Sequence, residues 1–408
     1  MRLLPFRALR YDSAVAGPPE ETSAPPYDAF DPLQYLQHRT ANPYTVLELQ
    51  AGEADGGPGG FQAARATLAR WRRTGVLVED AQPALYLYEE HELRRGVPTV
   101  QRGIVGAVDL TEIERGRLLL HEHVDDARTA LRAERMRQVP VDLTPVVALH
   151  MAPGVPDLGA TTAGRPPVAA FTDEANVDHR LWRIDEPALV SSITAAHADV
   201  TAVLADGHHR VAAARQLAAE AGARWGRVTV WLVDARAHGP ELRAVHRLVP
   251  GTPPTGPDGT PRIPGFRALA WRDGVVELER AIGEMPGVAF GVVTPDGRWV
   301  LRADDPRRLR TSAAPDQPSL QQLDAQVAAT HVLPLIAPET AARAVFDAGE
   351  AADEVARSSA ATLLLLAPPT AQQVLDVAAS GLRMPAKTTW FRPKPRAGLV
   401  MRALDAQA

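Results

Sequence analysis

Apolar and polar positions alternate along this chain in short stretches separated by proline and glycine. Residues 201–204 are apolar and partly β-branched, which predicts a buried strand. Residues 211–221 are rich in Ala, Leu, Arg and Glu and stop at Gly222, which predicts a helix with a C-terminal glycine. The same reading gives a strand at 6–11, a Pro/Gly-rich loop at 15–26, and a short helix from Pro32 with Asp31 as its N-cap. It gives a strand at 44–49, a Gly-rich loop at 51–60, and an amphipathic helix at 61–73 stopped at Gly75. Residues 84–89 and 100–110 read as paired strands, and 125–138 as a charged helix. Strands at 145–151, 179–184, 229–233 and 243–249 and a helix at 186–196 complete the first part. Residues 251–265 hold five prolines and four glycines and read as a linker. Beyond it, Pro295-Asp296-Gly297 predicts a hairpin, and 362–366 followed by 370–379 predicts a strand and a helix. Both parts mix helices with strands, so the fold class is α+β or mixed α/β. Domains are expected at 1–250 and 266–408.

Composition narrows the function. The chain has 408 residues, a hydrophobic fraction of 45% and a net charge of −5, which argues against a general nucleic-acid binder. Cysteine is absent, which excludes disulfides, thiolate metal sites and a cysteine nucleophile. No apolar run approaches the roughly 20 residues that span a bilayer, and the first twelve residues lack a signal-peptide core. A cytoplasmic protein is expected, with no membrane partner. Of 44 basic residues only two are lysines, Lys387 and Lys394. Lysine is a compact, rotatable point charge suited to a phosphate oxygen, where arginine is a planar fork.

The densest chemistry is Asp206-Gly207-His208-His209-Arg210, at the expected strand-to-helix turn. Backbone N–H groups and the helix dipole favour an anion there. A turn needing only to reverse the chain would use Gly with Asn or Ser. A phosphate or metal-phosphate site is therefore expected. A second cluster, His121-Glu122-His123, ends the stretch 118–120, and His-x-His spacing puts both rings on one face of a strand. Trp182 reads as core and His246-Arg247 as surface. There is no Walker A loop, no Gly-x-Gly-x-x-Gly after a strand and no Gly-x-Ser-x-Gly, so P-loop, Rossmann and α/β-hydrolase sites are not expected.

Ordered motifs run through most of the chain. They are Phe6-Arg7-Ala8-Leu9, Ala24-Pro25-Pro26-Tyr27-Asp28, Gly106-Ala107-Val108-Asp109, His121-Glu122, His179-Arg180-Leu181-Trp182, Ala205 to Arg210, and Met384-Pro385-Ala386-Lys387-Thr388-Thr389-Trp390-Phe391-Arg392-Pro393-Lys394. With them the chain resembles the conserved prokaryotic family known as domain of unknown function 1015. A departure follows His-Glu, where the family usually has His-Thr and then a Lys/Glu-containing stretch. Here Val124 replaces the hydroxyl and the Lys is missing. The Gly207–Arg210 turn and its Ala-rich helix also resemble the phosphate-contacting turn of the ParB and sulfiredoxin superfamily, which includes free serine kinases. Sulfiredoxins carry cysteine where His208 stands, so their thiol chemistry is excluded.

The resemblance implies a ParB/sulfiredoxin-like nucleotide-binding domain followed by a smaller mixed α/β domain. Its C-terminal Lys-containing segment, 384–402, is expected to return Lys387 toward the turn. The implied activity is nucleotide-dependent phosphorylation of a small hydroxyl compound, with free serine as the pattern and Mg²⁺ with ATP or ADP as cofactors. Phosphoryl transfer needs cations on the phosphates and a base near the acceptor hydroxyl. Glu122 and His209 are the candidate catalytic residues. Gly207, His208, Arg210, Lys387 and Thr388 are the candidates for phosphate. His121 and Arg180 are assigned to substrate and Asp206 to metal. Two other readings stay open: a nucleotide-gated interaction protein without catalysis, and a metal-dependent hydrolase using His121, His123, Asp125, Asp126, His208 and His209.

Overall fold

The computed structural model describes residues 1–25, 32–50, 58–94, 96–338 and 341–405. Its contacts gather into two compact units. The first holds Met1–Leu120, Val124–Pro240 and Pro393–Ala408; the second holds His121–His123 and Glu241–Arg392. The proline- and glycine-rich segment 251–265 lies inside the second unit, where Gly256 N–H donates to the Thr260 carbonyl at 2.9 Å and Gly251 N–H to that of Ala360 at 2.9 Å. The chain is mixed α/β, as its hydrophobic pattern predicts.

In the first unit the paired strands Leu85–Arg94 and Val97–Asp109 run antiparallel and form the centre of a nine-stranded sheet. From one edge the order is Leu118–Leu119, Ala202–Asp206, Val146–His150, Arg227–Asp234, Val97–Asp109, Leu85–Arg94, Asp178–Ile184 and Ala169–Thr172. Leu3–Leu4 also pairs with Val97–Asp109. Side chains alternate between faces along each strand. One face carries Leu85, Leu87, Ile104, Ala148, Leu204 and Leu232 against Met136 of the helix Asp126–Gln138 and Val211 and Leu217 of the helix His208–Ala221. Burying each Leu or Ile there contributes roughly 1.5–3 kcal/mol. The opposite face carries Val147, Leu149, Trp231, Tyr88, Glu90, Gln101 and His179, all nearly inaccessible to solvent. A further core gathers Leu9, Leu47, Trp71, Leu77, Val141 and Met401.

The second unit is built on a six-stranded antiparallel sheet in the order Phe266–Ala270, Gly297–Ala303, Ala289–Thr294, Ala361–Leu365, His246–Pro250 and Arg343–Val345. The expected hairpin at Pro295 is present, with Thr294 opposite Gly297. One face packs Val249, Leu364 and Leu366 against Leu309, Val327 and Ala328. The other packs Leu248, Leu363 and Leu365 against Leu278, Ile282, Ala351 and Val355.

Two sequence expectations differ from the structure for identifiable reasons. Residues 44–49 contain the 3₁₀ helix Val46–Leu49, not a strand, because Asn42 turns the chain just before it. Its Oδ1 accepts from Tyr44 N–H at 2.8 Å and its carbonyl accepts from Thr45 N–H at 3.1 Å. The loop expected at 15–26 contains the short helices Ser13–Ala16, capped by the Asp12 carboxylate, and Pro19–Thr22, which opens with proline. Tyr27, Asp28, the expected cap Asp31 and residues 51–57 lie outside the described residues. No helix among the described residues is long and apolar enough to cross a membrane.

Candidate functional site

The Asp206 turn begins where the buried strand Ala202–Asp206 leaves the sheet. Its pairing to Val146–His150 shifts register between Leu204 and Asp206, so Asp206 lies opposite Val147. Gly207 then takes a left-handed φ of 101°, and a Cβ there would come within 2.5 Å of Val146 Cγ1. Both facts demand glycine. The helix starts at His208, three residues before the sequence pattern places it, so His208, His209 and Arg210 form its first turn. Their N–H groups are those a helix leaves without an intrahelical partner.

Each side chain of the turn has a defined place. Arg210 Nη2 donates to Asp206 Oδ2 at 2.8 Å, and Nη1 donates to the Thr144 carbonyl at 2.5 Å. Lys394 Nζ lies 3.3 Å from Asp206 Oδ1, so two cations meet at one carboxylate. Burial works to raise the Asp206 carboxyl, but Lys394 and Arg210 outweigh it and hold it well below the usual carboxylate range. His209 Nε2 accepts from Asp125 N–H at 3.1 Å, and the Asp125 carboxylate caps the helix Asp126–Gln138. His208 is buried. Sequence reasoning assigned Lys387 and not Lys394 to the turn, although the same rarity of lysine marks both.

A second group lies in the second unit. His121 is buried, its Nε2 stands 3.1 Å from Thr389 Oγ1, and its carbonyl accepts from Met384 N–H at 2.8 Å. Glu122 Oε1 accepts from Lys387 N–H at 3.3 Å, and Thr388 Oγ1 donates to the Pro385 carbonyl at 2.6 Å. The structure thus brings His121, Glu122, Lys387 and Thr388 together, and separately Asp206, Gly207, His208, His209, Arg210 and Lys394. Arg180 belongs to neither group; it is exposed on the strand Asp178–Ile184. His246 and Arg247, expected at the surface, are both buried.

Sequence reasoning also missed a polar network on the inner sheet face. Tyr88 Oη lies 2.9 Å from Glu90 Oε1 and 2.8 Å from His179 Nδ1. His179 Nε2 lies 3.0 Å from Asp173 Oδ2, and Arg396 Nη1 donates to the same oxygen at 3.3 Å. Glu90 stands opposite both Gln101 and His179 in the sheet. Glu90 Oε2, both polar atoms of Gln101 and Trp231 Nε1 have no hydrogen-bond partner among the described residues. Burial pushes the Glu90 carboxyl up to about 8, lowers the His179 imidazole and raises the Tyr88 phenol well above its ordinary value. Asp173 goes the other way, to about 2; burial raises it, but the hydrogen bonds from His179 and Val177 and the Arg396 charge lower it further. The visible signal was His179 within a family motif, but the strand partners Glu90 and Gln101 carry no local pattern.

Among the described residues no three His, Asp or Glu side chains gather as a metal site would require. Both Asp206 oxygens are engaged by cations, a poor fit to a divalent ion.

Comparison with known proteins adds the following. No curated protein matches the chain. A solved free serine kinase in complex with AMP is 13% identical, covers 71% of this chain and 90% of its own, and superposes with a TM-score of 0.35. The SbnI protein from Staphylococcus aureus, truncated at its C-terminus, is 11% identical over 74% of this chain and 90% of its own, with a TM-score of 0.38. A conserved hypothetical protein from Pyrococcus furiosus is 13% identical over 73% and 95%, with a TM-score of 0.34. The family described as a protein of unknown function, DUF1015, matches residues 3–326, and the chain belongs to that family.

Proposed function

We propose that the chain binds the phosphates of a nucleotide at the Asp206–Arg210 turn and transfers a phosphoryl group to a small hydroxyl compound. The carrying observation is the convergence of Lys394 and Arg210 at the start of a 14-residue helix whose preceding Gly207 is left-handed. Backbone N–H groups and fixed cations stabilise charge on phosphoryl oxygens without reorganising during reaction. Asp206 holds both cations in place rather than holding a metal. Mg²⁺ would arrive on the phosphates, as it commonly does with nucleotides, and not in a protein cage. Glu122 is kept as the proposed base on the sequence pattern alone. Free serine remains the pattern for the acceptor, on the sequence resemblance alone.

Thermal melting of the full chain against ATP, ADP, CTP, GTP and pyrophosphate, each with Mg²⁺, tests the binding. A ligand at a hundred times its dissociation constant adds about 2.7 kcal/mol. Arg210→Ala should abolish that ligand-induced shift, whatever it does to the melting temperature of the free protein. A shift preserved in Arg210→Ala, or absent with all five ligands, sinks the reading. Glu122→Gln should leave binding intact and lower turnover about a hundredfold. Binding with no turnover in the unmodified chain would favour a nucleotide-gated interaction protein.

A further inference from the structure

We propose that Arg396 is a positioning residue: it anchors the segment that carries Lys394 to the Asp206 carboxylate. The second cation of the turn thus stands where a buried guanidinium two residues away sets it. The proposal deepens the nucleotide reading and rests on it for what Lys394 is held to meet; the anchoring itself is tested without a ligand.

The first unit takes the chain up again at Pro393, so Lys394 is the second residue of its closing segment. The sequence there is Pro393-Lys394-Pro395-Arg396. A residue before proline is kept out of the helical region, and proline fixes its own φ. Lys394 and Pro395 are therefore an extended, stiff spacer. Two residues of extended chain reach at most about 7 Å, so a fixed Arg396 leaves Lys394 little room.

Arg396 is fixed. It is only 2% exposed, and all three of its guanidinium nitrogens are engaged. Nε donates to Ser23 Oγ and Nη2 to the Ser23 carbonyl, each at 3.0 Å. Nη1 donates to Asp173 Oδ2 at 3.3 Å and to Glu174 Oε2 at 3.0 Å, and Cζ stands 5.6 Å from the Phe171 ring centroid. Backbone bonds hold the next two residues. Ala397 N–H donates to the Ala24 carbonyl at 2.8 Å, and Gly398 N–H to that of Leu143 at 2.8 Å. Segments far apart in the sequence thus converge on 396–398.

Apolar packing could hold this segment as firmly, since replacing a buried ion pair by well-packed apolar residues often costs no stability. What a guanidinium adds is direction: its donors lie in one plane and admit few arrangements. Ser23 on one side and the Asp173–Glu174 turn on the other fix its orientation as well as its depth. Asp173 Oδ2 also lies 3.0 Å from His179 Nε2, so the anchor ends in the Tyr88–Glu90 network. That network backs the carboxylate that holds Arg396.

Lys387 and Lys394 are the only lysines in the chain, so amine acylation reports on just two side chains. Lys387 is exposed and serves as the internal reference. The full chain is treated briefly with an acetyl N-hydroxysuccinimide ester, and mass spectrometry gives the ratio of acetylation at Lys394 to that at Lys387. In the parent, Lys394 should react several-fold more slowly, because Asp206 holds its ammonium. Arg396→Met should raise the ratio several-fold and weaken the nucleotide-induced melting shift. Pro395→Gly loosens the spacer and leaves Arg396 its partners; it should do the same, and it decides the matter if Arg396→Met does not fold. Val141→Ala, in the core with Leu9 and Met401, should lower the melting temperature and leave the ratio alone. The proposal falls if the parent acylates both lysines alike, if Pro395→Gly or a folded Arg396→Met leaves the ratio unchanged, or if Val141→Ala raises it as much. No melting shift with any nucleotide in the parent sinks the nucleotide reading, while the ratio still decides the anchoring.

Discussion

Asp206 ends a strand of the first unit's sheet, while Glu90 sits midway along another strand of the same sheet. Lys394 and Arg210 reach one oxygen each of Asp206, and the carboxyl stays ionised. Glu90 has Tyr88 on one oxygen and no hydrogen-bond partner among the described residues on the other, and stays protonated at neutral pH. Burial raises both carboxyls, so burial does not decide between them. What decides is whether a cation can reach the oxygens. A strand end lies open to a following helix turn and to the segment carrying Lys394; the middle of a sheet, flanked by strands, does not. The chain thus keeps a charged group where an anion would bind and a neutral one inside.

The neutral state also completes a hydrogen-bond chain. With Glu90 protonated its O–H can donate to Tyr88 Oη, which frees the Tyr88 O–H for His179 Nδ1 and pairs His179 Nε2–H with the Asp173 carboxylate, within the distances observed. The tautomer follows from that network and from the lowered His179 imidazole. An ionised Glu90 would leave Tyr88 with one proton for two acceptors.

The largest break in the comparison comes from Asp206→Ala. It would leave Arg210 and Lys394 without the carboxylate that holds them, at a cost of about 3–5 kcal/mol in urea unfolding. A loss under about 1 kcal/mol would mean that the two cations do not depend on Asp206. Glu90→Gln should act oppositely. Gln N–H can donate to Tyr88 as the protonated carboxyl does. Glu90 is raised, so its contribution is full below about pH 4.5 and lost as pH rises toward 8. Glu90→Gln should remove that decline and stabilise the chain by about 1–3 kcal/mol at pH 8. A destabilised variant with the slope intact would show Glu90 to be ionised.

The Asp206 turn was legible in the sequence because its residues are contiguous and chemically unusual. So were the helix end at Gly222 and the hairpin at Pro295, where one residue type dictates one backbone shape. The Glu90 network was not. Its members are scattered from Tyr88 to Arg396, and only the sheet register brings Gln101, Glu90 and His179 into one row. Arg247 failed for a similar reason: a basic residue at a strand end reads as exposed until carbonyls 139 and 140 residues away are seen around it. Lysine rarity marked Lys387 and Lys394 alike, and only contacts could assign Lys394 to Asp206.

A smaller effect sharpens the contrast in acid. Asp173 is held at about 2, against an ordinary value of 3.8, so its contribution is full above about pH 4 and lost as pH falls through 2. Across that window the loss is about 2 kcal/mol. Asp173→Asn should therefore destabilise the chain near neutrality and match the parent near pH 2. An equal difference at both values would mean that the side chain matters through packing and not through charge.

The smallest expected change in stability is Lys394→Arg, and it bears most directly on why the charged carboxylate is there. The chain uses arginine at all but two of its basic positions, so arginine would be the default if Lys394 served only to pair with Asp206. Lys394 is partly exposed, and an arginine there can still meet Oδ1, so stability should move by less than about 1 kcal/mol. A guanidinium is wider and directs its donors in a plane, whereas an ammonium can turn one proton to Asp206 and others to a phosphate oxygen. The substitution should therefore weaken nucleotide binding several-fold while the unfolding curve barely moves, read as the ligand-induced melting shift beside the urea midpoint. If both stay unchanged, Lys394 is a structural counterion. The Asp206 turn would then differ from the Glu90 network only in being charged, and not in having a ligand to hold.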